Sequence, residues 1–134
     1  MLRKIILLRH AKSSWKDPSL RDFDRPLSKR GVKDTKLMKE HIASLVMGVD
    51  EIYSSPSIRT SQTINQLVPE FPYVKYIASL YLGDVSVVLS LLAINPSIVY
   101  IFWCAFLAFS SSSCFFRPIV LSEHTEKAIN SSVD

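Results

Sequence analysis

Two guanidinium groups and one imidazole stand where the chain can bring them onto an anion. Arg9 and His10 follow directly on Ile5-Ile6-Leu7-Leu8, four consecutive branched apolar residues. Such a run reads as a buried parallel strand that delivers a cation and an imidazole to its C-terminal end. That end is where open α/β sheets keep their chemistry. Arg59 falls in Ser57-Ile58-Arg59-Thr60-Ser61-Gln62-Thr63, which opens a helix carrying Ile58, Ile64 and Leu67 and ending before Pro69. A basic residue in a first helical turn opposes the helix macrodipole. It makes local sense if an anion binds between the guanidinium and the backbone N–H groups. A structural salt bridge accounts for the same Arg without a ligand.

These residues need a frame, and the rest of the chain supplies one. From Ala11 to Leu27 the sequence is polar and charged, with Pro18 and Pro26, which marks a surface loop leaving the strand end. Within it, Arg21-Asp22-Phe23-Asp24-Arg25 reads as a salt-bridged brace, and Asp24 and Arg25 belong to loop structure rather than chemistry. Ser28 is placed to cap a helix running to about Val46, with Val32, Thr35, Met38, Ile42 and Leu45 on one face and Lys29, Lys33, Lys36 and Lys39 on the other. Gly48 suits a left-handed C-terminal cap. Further strands are expected at Val49 to Tyr53, Val74 to Ile77 and Ile98 to Trp103, with a helix capped by Asp84 before the last of them. Alternation of strand and helix predicts an α/β fold with a mainly parallel sheet.

The chain has 134 residues and a net charge of +4, enough for a single core. Twelve of its sixteen Lys and Arg lie before residue 40. A basic front suits nucleic acid, an anionic membrane surface or a phosphorylated substrate, and composition does not choose among them. It lacks the interleaved aromatics or recognition element of a nucleic-acid binder, so none is expected. The run from Ile5 to Leu8 is too short for a signal-peptide core, and the expectation is a cytoplasmic protein. Cys104 and Cys114 have neither Cys-x-x-Cys spacing nor a His pair nearby and read as two isolated thiols.

Three stretches occur together in a set order: Leu8-Arg9-His10-Ala11-Lys12-Ser13, then Asp22-Phe23-Asp24-Arg25-Pro26-Leu27-Ser28-Lys29-Arg30-Gly31, then Ser54-Ser55-Pro56 followed by Arg59-Thr60 and Thr63. In this the chain resembles the histidine phosphatase superfamily, the phosphoglycerate mutase-like proteins, and most closely the SixA-type phosphohistidine phosphatases. The resemblance implies a phosphoglycerate mutase-like sheet with helices on both faces. It implies His10 as a nucleophile that forms a phosphohistidine, with Arg9 and Arg59 on the phosphoryl oxygens. No metal or other cofactor is implied. The partner would be a phosphohistidine-bearing protein or a small phosphorylated molecule.

The pattern breaks after Trp103. The family supplies a second pocket His there, in a motif resembling Val-Gly-His-Asn-Pro, whereas this chain reads Cys104-Ala105-Phe106-Leu107-Ala108-Phe109 and then Ser110 to Ser113. His124 lies in a polar stretch with no Gly before it or Asn-Pro after it, and no catalytic role is expected for it. The expectation is therefore a histidine phosphatase-like domain over 1–103 and a divergent tail over 104–134, disordered or poorly packed, with the C-terminal part of the fold incomplete and activity reduced or lost. A reading-frame change or retained intron would explain so abrupt a break; finding no Gly-His-Asn-Pro in the other frames past codon 100 would count against it.

Two other readings remain open: a non-catalytic phosphate-binding relic of the same fold, and a small membrane-associated protein using the uncharged stretch 85–109. Asn95-Pro96 near the middle of that stretch disfavours the second, because a buried helix and strand separated by a turn explain the same apolar content.

Overall fold

The computed structural model describes residues 4–94, 99–103 and 119–122. Its elements run β1 (Lys4–Arg9), α1 (Lys29–Val46), β2 (Glu51–Ser54), α2 (Ile58–Leu67), β3 (Val74–Tyr76), α3 (Val85–Ile94), β4 (Val99–Trp103) and β5 (Ile119–Ser122). The strands form one sheet in the order β3-β2-β4-β1-β5. All neighbours are parallel except β5, which runs antiparallel to β1.

The period of two in β1 sorts its side chains between two cores. Ile6 and Leu8 are fully buried and pack with Ile42 and Val46 of α1, Ile52 of β2, and Ile64 and Leu67 of α2. Leu7 faces the other way, against a cluster of Tyr53, Leu80 and Val88 that α3 completes with Leu91 and Leu92. Helices thus cover both faces, as the resemblance implies. The chain moves outward from β1 through β2 to β3 and then returns to insert β4 between β2 and β1. With crossovers of one hand, that reversal carries α3 to the opposite face. The C-terminal ends of β1, β2 and β4 therefore lie side by side, with Arg9 in register with Trp103 and Ser54 with Phe102.

The helix ends follow their local chemistry. Ser28 accepts a hydrogen bond from the Gly31 N–H at 3.0 Å and caps α1. Gly48 adopts φ +80° just beyond its end, and the Val49 N–H returns to the Val46 carbonyl. That turn keeps Val49 out of the sheet, so β2 begins at Glu51 rather than at Val49 as the apolar pattern suggests. Asp84 caps α3 through the Ser86 N–H at 2.9 Å.

The stretch 85–109 does not form one continuous span. Residues 85–94 make α3 with Val88 buried, and 99–103 make the central strand β4. No helix among the described residues is long and apolar enough to cross a membrane. Reading 104–134 as a tail also misses β5, whose residues pair with Lys4 to Leu7 along the edge of β1. Four residues are too few to show an alternation, and β5 is recognisable only by what it pairs with. Cys104, Cys114 and His124 lie outside the described residues.

Candidate active site

The loop from Ala11 to Ser28 turns back over the end of β1 and is tied down at several points. Ser13 bridges Leu27, and the Ser14 N–H donates to the Pro26 carbonyl at 2.8 Å. The Lys12 carbonyl accepts from both the N–H and the hydroxyl of Ser28. It comes so close to α1 that a Cβ on Gly31 would lie 2.2 Å from its oxygen. Glycine at this position is a packing requirement. From the other side, the Thr63 hydroxyl accepts from the buried Ala11 N–H at 3.1 Å and donates to the Arg59 carbonyl at 2.7 Å. Gln62 accepts from the Leu27 N–H at 2.8 Å. The first turns of α2 thus hold both ends of the loop that carries His10.

His10 is half-buried at the head of that loop. Its Nδ1 lies 2.7 Å from the Ala11 carbonyl oxygen, which can only accept, so Nδ1 carries the proton. Nε2 is then the nitrogen with the lone pair, and it accepts from Nε of Arg59 at 3.1 Å. Burial pushes the imidazole down to about 4, and the charges of Arg59 and Arg9 push the same way, against the Ala11 hydrogen bond and the charge of Asp22. The ring is neutral at pH 7.

Arg59, on the first turn of α2, is 5% exposed. Its Nη2 donates to Oδ2 of Asp22 at 2.8 Å and its Nη1 to the Asp22 backbone carbonyl. Asp22 also accepts from the Tyr81 hydroxyl at 2.9 Å and from Nη1 of Arg25 at 3.0 Å. Burial alone would raise the Asp22 carboxyl. Hydrogen bonds from Arg59 and Tyr81, with the charges of Arg59 and Arg25, outweigh it and hold the group below its ordinary range.

The residues singled out in the sequence meet unequally. His10 and Arg59, 49 positions apart, are in direct contact. Arg9 stands at the exposed end of β1 beside His10, and its charge bears on the ring. Arg25 is buried and serves the loop, donating to the Ser14 carbonyl and the Ser13 hydroxyl with its guanidinium carbon 3.3 Å from the centre of the Trp15 ring. Asp24 pairs with Arg21 at 2.7 Å. Both match the loop role expected for them. Asp22 and Tyr81 are what sequence reasoning missed. Asp22 is one acid among several in a charged loop, and Tyr81 reaches it only because the sheet brings residues 59 apart together. No group of three His, Cys, Asp or Glu among the described residues could hold a metal ion.

An arginine and an imidazole at the C-terminal end of a parallel strand, met by a second arginine from the first turn of a helix, on a sheet covered on both faces, define a class. Residues 5–79 match the histidine phosphatase superfamily (branch 1), and the chain belongs to that family. Within it, the structural likeness is to SixA proteins. One assigned as the phosphohistidine phosphatase SixA from Agrobacterium tumefaciens is 29% identical, with a TM-score of 0.69 over 78% of this chain and 70% of that one. Another with the same assignment, from Nakamurella multipartitia, is 29% identical with a TM-score of 0.68, covering 79% of this chain and 61% of its own. An uncharacterised chloroplastic protein of Arabidopsis thaliana is 48% identical over 65 residues, which are 48% of this chain and 30% of that protein. The chain therefore matches less than a third of the length of that relative.

Proposed function

We propose that this chain is a phosphatase of the SixA type, acting on a phosphohistidine protein or a small phosphoryl donor through a covalent phosphohistidine on His10. The observation that carries this reading is the pairing of His10 Nε2 with Arg59 Nε at 3.1 Å while the Ala11 carbonyl keeps the proton on Nδ1. An unprotonated nitrogen and a phosphate-binding guanidinium then face one place.

In the first step the Nε2 lone pair attacks phosphorus, a P–N bond forms, and the bond to the leaving group breaks with its electron pair going to that group. Arg9 and Arg59 hold the phosphoryl oxygens in line and offset charge as it spreads over them. In the second step water attacks phosphorus, the P–N electron pair returns to Nε2, and the proton of the water passes to solvent as phosphate departs. Asp22 is ionised at neutral pH and is not a proton donor to the leaving group. This supports leaving groups that need none, such as a phosphorylated imidazole, whose other nitrogen carries a proton, or an aryl phosphate.

A second reading rests on one sequence fact. β4 ends at Trp103, in register with Arg9, and the sequence continues with Cys104 where the family has the segment bearing its second His. Loss of one phosphoryl-oxygen donor costs on the order of 100- to 1000-fold in rate. A phosphate-binding relic is the limit of that loss. The test is phosphate release from a phosphohistidine protein, an aryl phosphate and an alkyl phosphate, comparing wild type with His10→Ala. Release that scales with enzyme, disappears in the variant and is slowest for the alkyl ester is expected. Equal release by both proteins would remove His10 as nucleophile, and no release by either would leave the relic.

A further inference from the structure

Resting on the assignment of His10 and Arg59 above, we propose that Asp22 is the positioning residue of the phosphate site, gripping Arg59 so that its Nε edge is turned onto His10. The grip has two points, the Oδ2 carboxylate oxygen on Nη2 at 2.8 Å and the backbone carbonyl on Nη1. Both come from one residue, so the plane of the guanidinium is set as well as its distance. Nε is left to face the imidazole at 3.1 Å. A phosphoryl group on His10 meets Arg59 from the Nε side, away from the carboxylate.

The carboxylate is itself held from two further segments. The Tyr81 hydroxyl reaches Oδ2 at 2.9 Å, and the Tyr81 ring packs edge-on against Phe23 with centroids 5.0 Å apart. Leu82, the next residue, takes a left-handed φ of 55°, a conformation costly for a branched side chain. Arg25 reaches Oδ1 at 3.0 Å and is fixed by Ser13, Ser14 and Trp15. An ordinary surface ion pair does not draw partners from three places, because each ordered side chain costs entropy for a small return. Here the Asp22 side chain is 47% exposed while its Arg59 partner is 5% exposed. A buried guanidinium needs such fixed acceptors to hold one orientation.

The opposite role would be competition, with the Asp22 charge occupying Arg59 in place of phosphate. The two roles move phosphate affinity in opposite directions. Inorganic phosphate binding is measured by calorimetry on wild type, Asp22→Ala, Asp22→Asn, Arg59→Ala and the double variant Asp22→Ala with Arg59→Ala. Positioning predicts that Asp22→Ala weakens phosphate binding by about tenfold. Asp22→Asn, which keeps an oxygen for Nη2, should lose less, and it carries the test should the Ala variant not fold. In the Arg59→Ala background, removing Asp22 should change nothing further. Tighter binding in Asp22→Ala, or the same loss in both backgrounds, would overturn the proposal. Binding that Asp22→Ala leaves unchanged overturns this proposal alone, whereas no phosphate binding by the wild type overturns both this one and the reading it rests on.

Discussion

At the scale of single residues, the proposed chemistry turns on which nitrogen of His10 is bare. The Ala11 carbonyl decides the tautomer, and burial with two nearby arginines keeps the ring neutral far below its ordinary titration. This has a consequence for stability. The imidazole titrates near 4 when folded against 6.5 in its reference state, so between these values the unfolded chain holds a proton that the folded chain does not. The contribution of His10 is complete above pH 6.5 and is lost as pH falls toward 4. Denaturant unfolding of wild type against His10→Gln at pH 7 and pH 4.5 should show a larger acid loss for wild type. Arg59 is the second test at this scale. Lysine places one ammonium where the guanidinium spans His10 and Asp22 together. Arg59→Lys should lower phosphate release on the order of 100-fold, read from initial rates on an aryl phosphate.

At the scale of elements, the site is an agreement between β1, α1 and α2. The Thr63 hydroxyl joins the Ala11 N–H to α2, and the Lys12 carbonyl is clamped against the start of α1. Gly31 makes that clamp possible. Gly31→Ala would place a methyl group 2.2 Å from a backbone oxygen, so α1 must shift, and a destabilisation of about 1–3 kcal/mol is expected despite the better helix propensity of Ala. Urea unfolding measures it. A gain in stability would show that the Lys12 carbonyl moves away at no cost.

At the scale of the whole molecule, β5 closes one edge of β1, with Val120 opposite Ile6 and Leu121 opposite Ile5. Val120→Pro removes a backbone donor and disfavours the pairing. It should lower the unfolding midpoint and promote self-association through the bared edge, seen by light scattering. An unchanged midpoint would return 104–134 to the status of a separate tail. Much of this architecture was legible in the sequence, because local rules govern it. The run from Ile5 to Leu8 reads as a strand from its own apolarity, and Ser28, Gly48 and Asp84 mark helix ends because each satisfies or bends the backbone within three residues of itself. Arg9, His10 and Arg59 stand out as a strand end and a helix start for the same reason. What the tertiary structure alone decided is which groups meet. The 3.1 Å contact of His10 with Arg59, the grip of Asp22 on that Arg and the reach of Tyr81 across the sheet join residues 37 to 59 positions apart. The tertiary structure alone decides β5 as well, since four residues become a strand only when β1 offers them an edge. Such contacts depend on strand order and on the crossovers between strands, and no short window of sequence contains either.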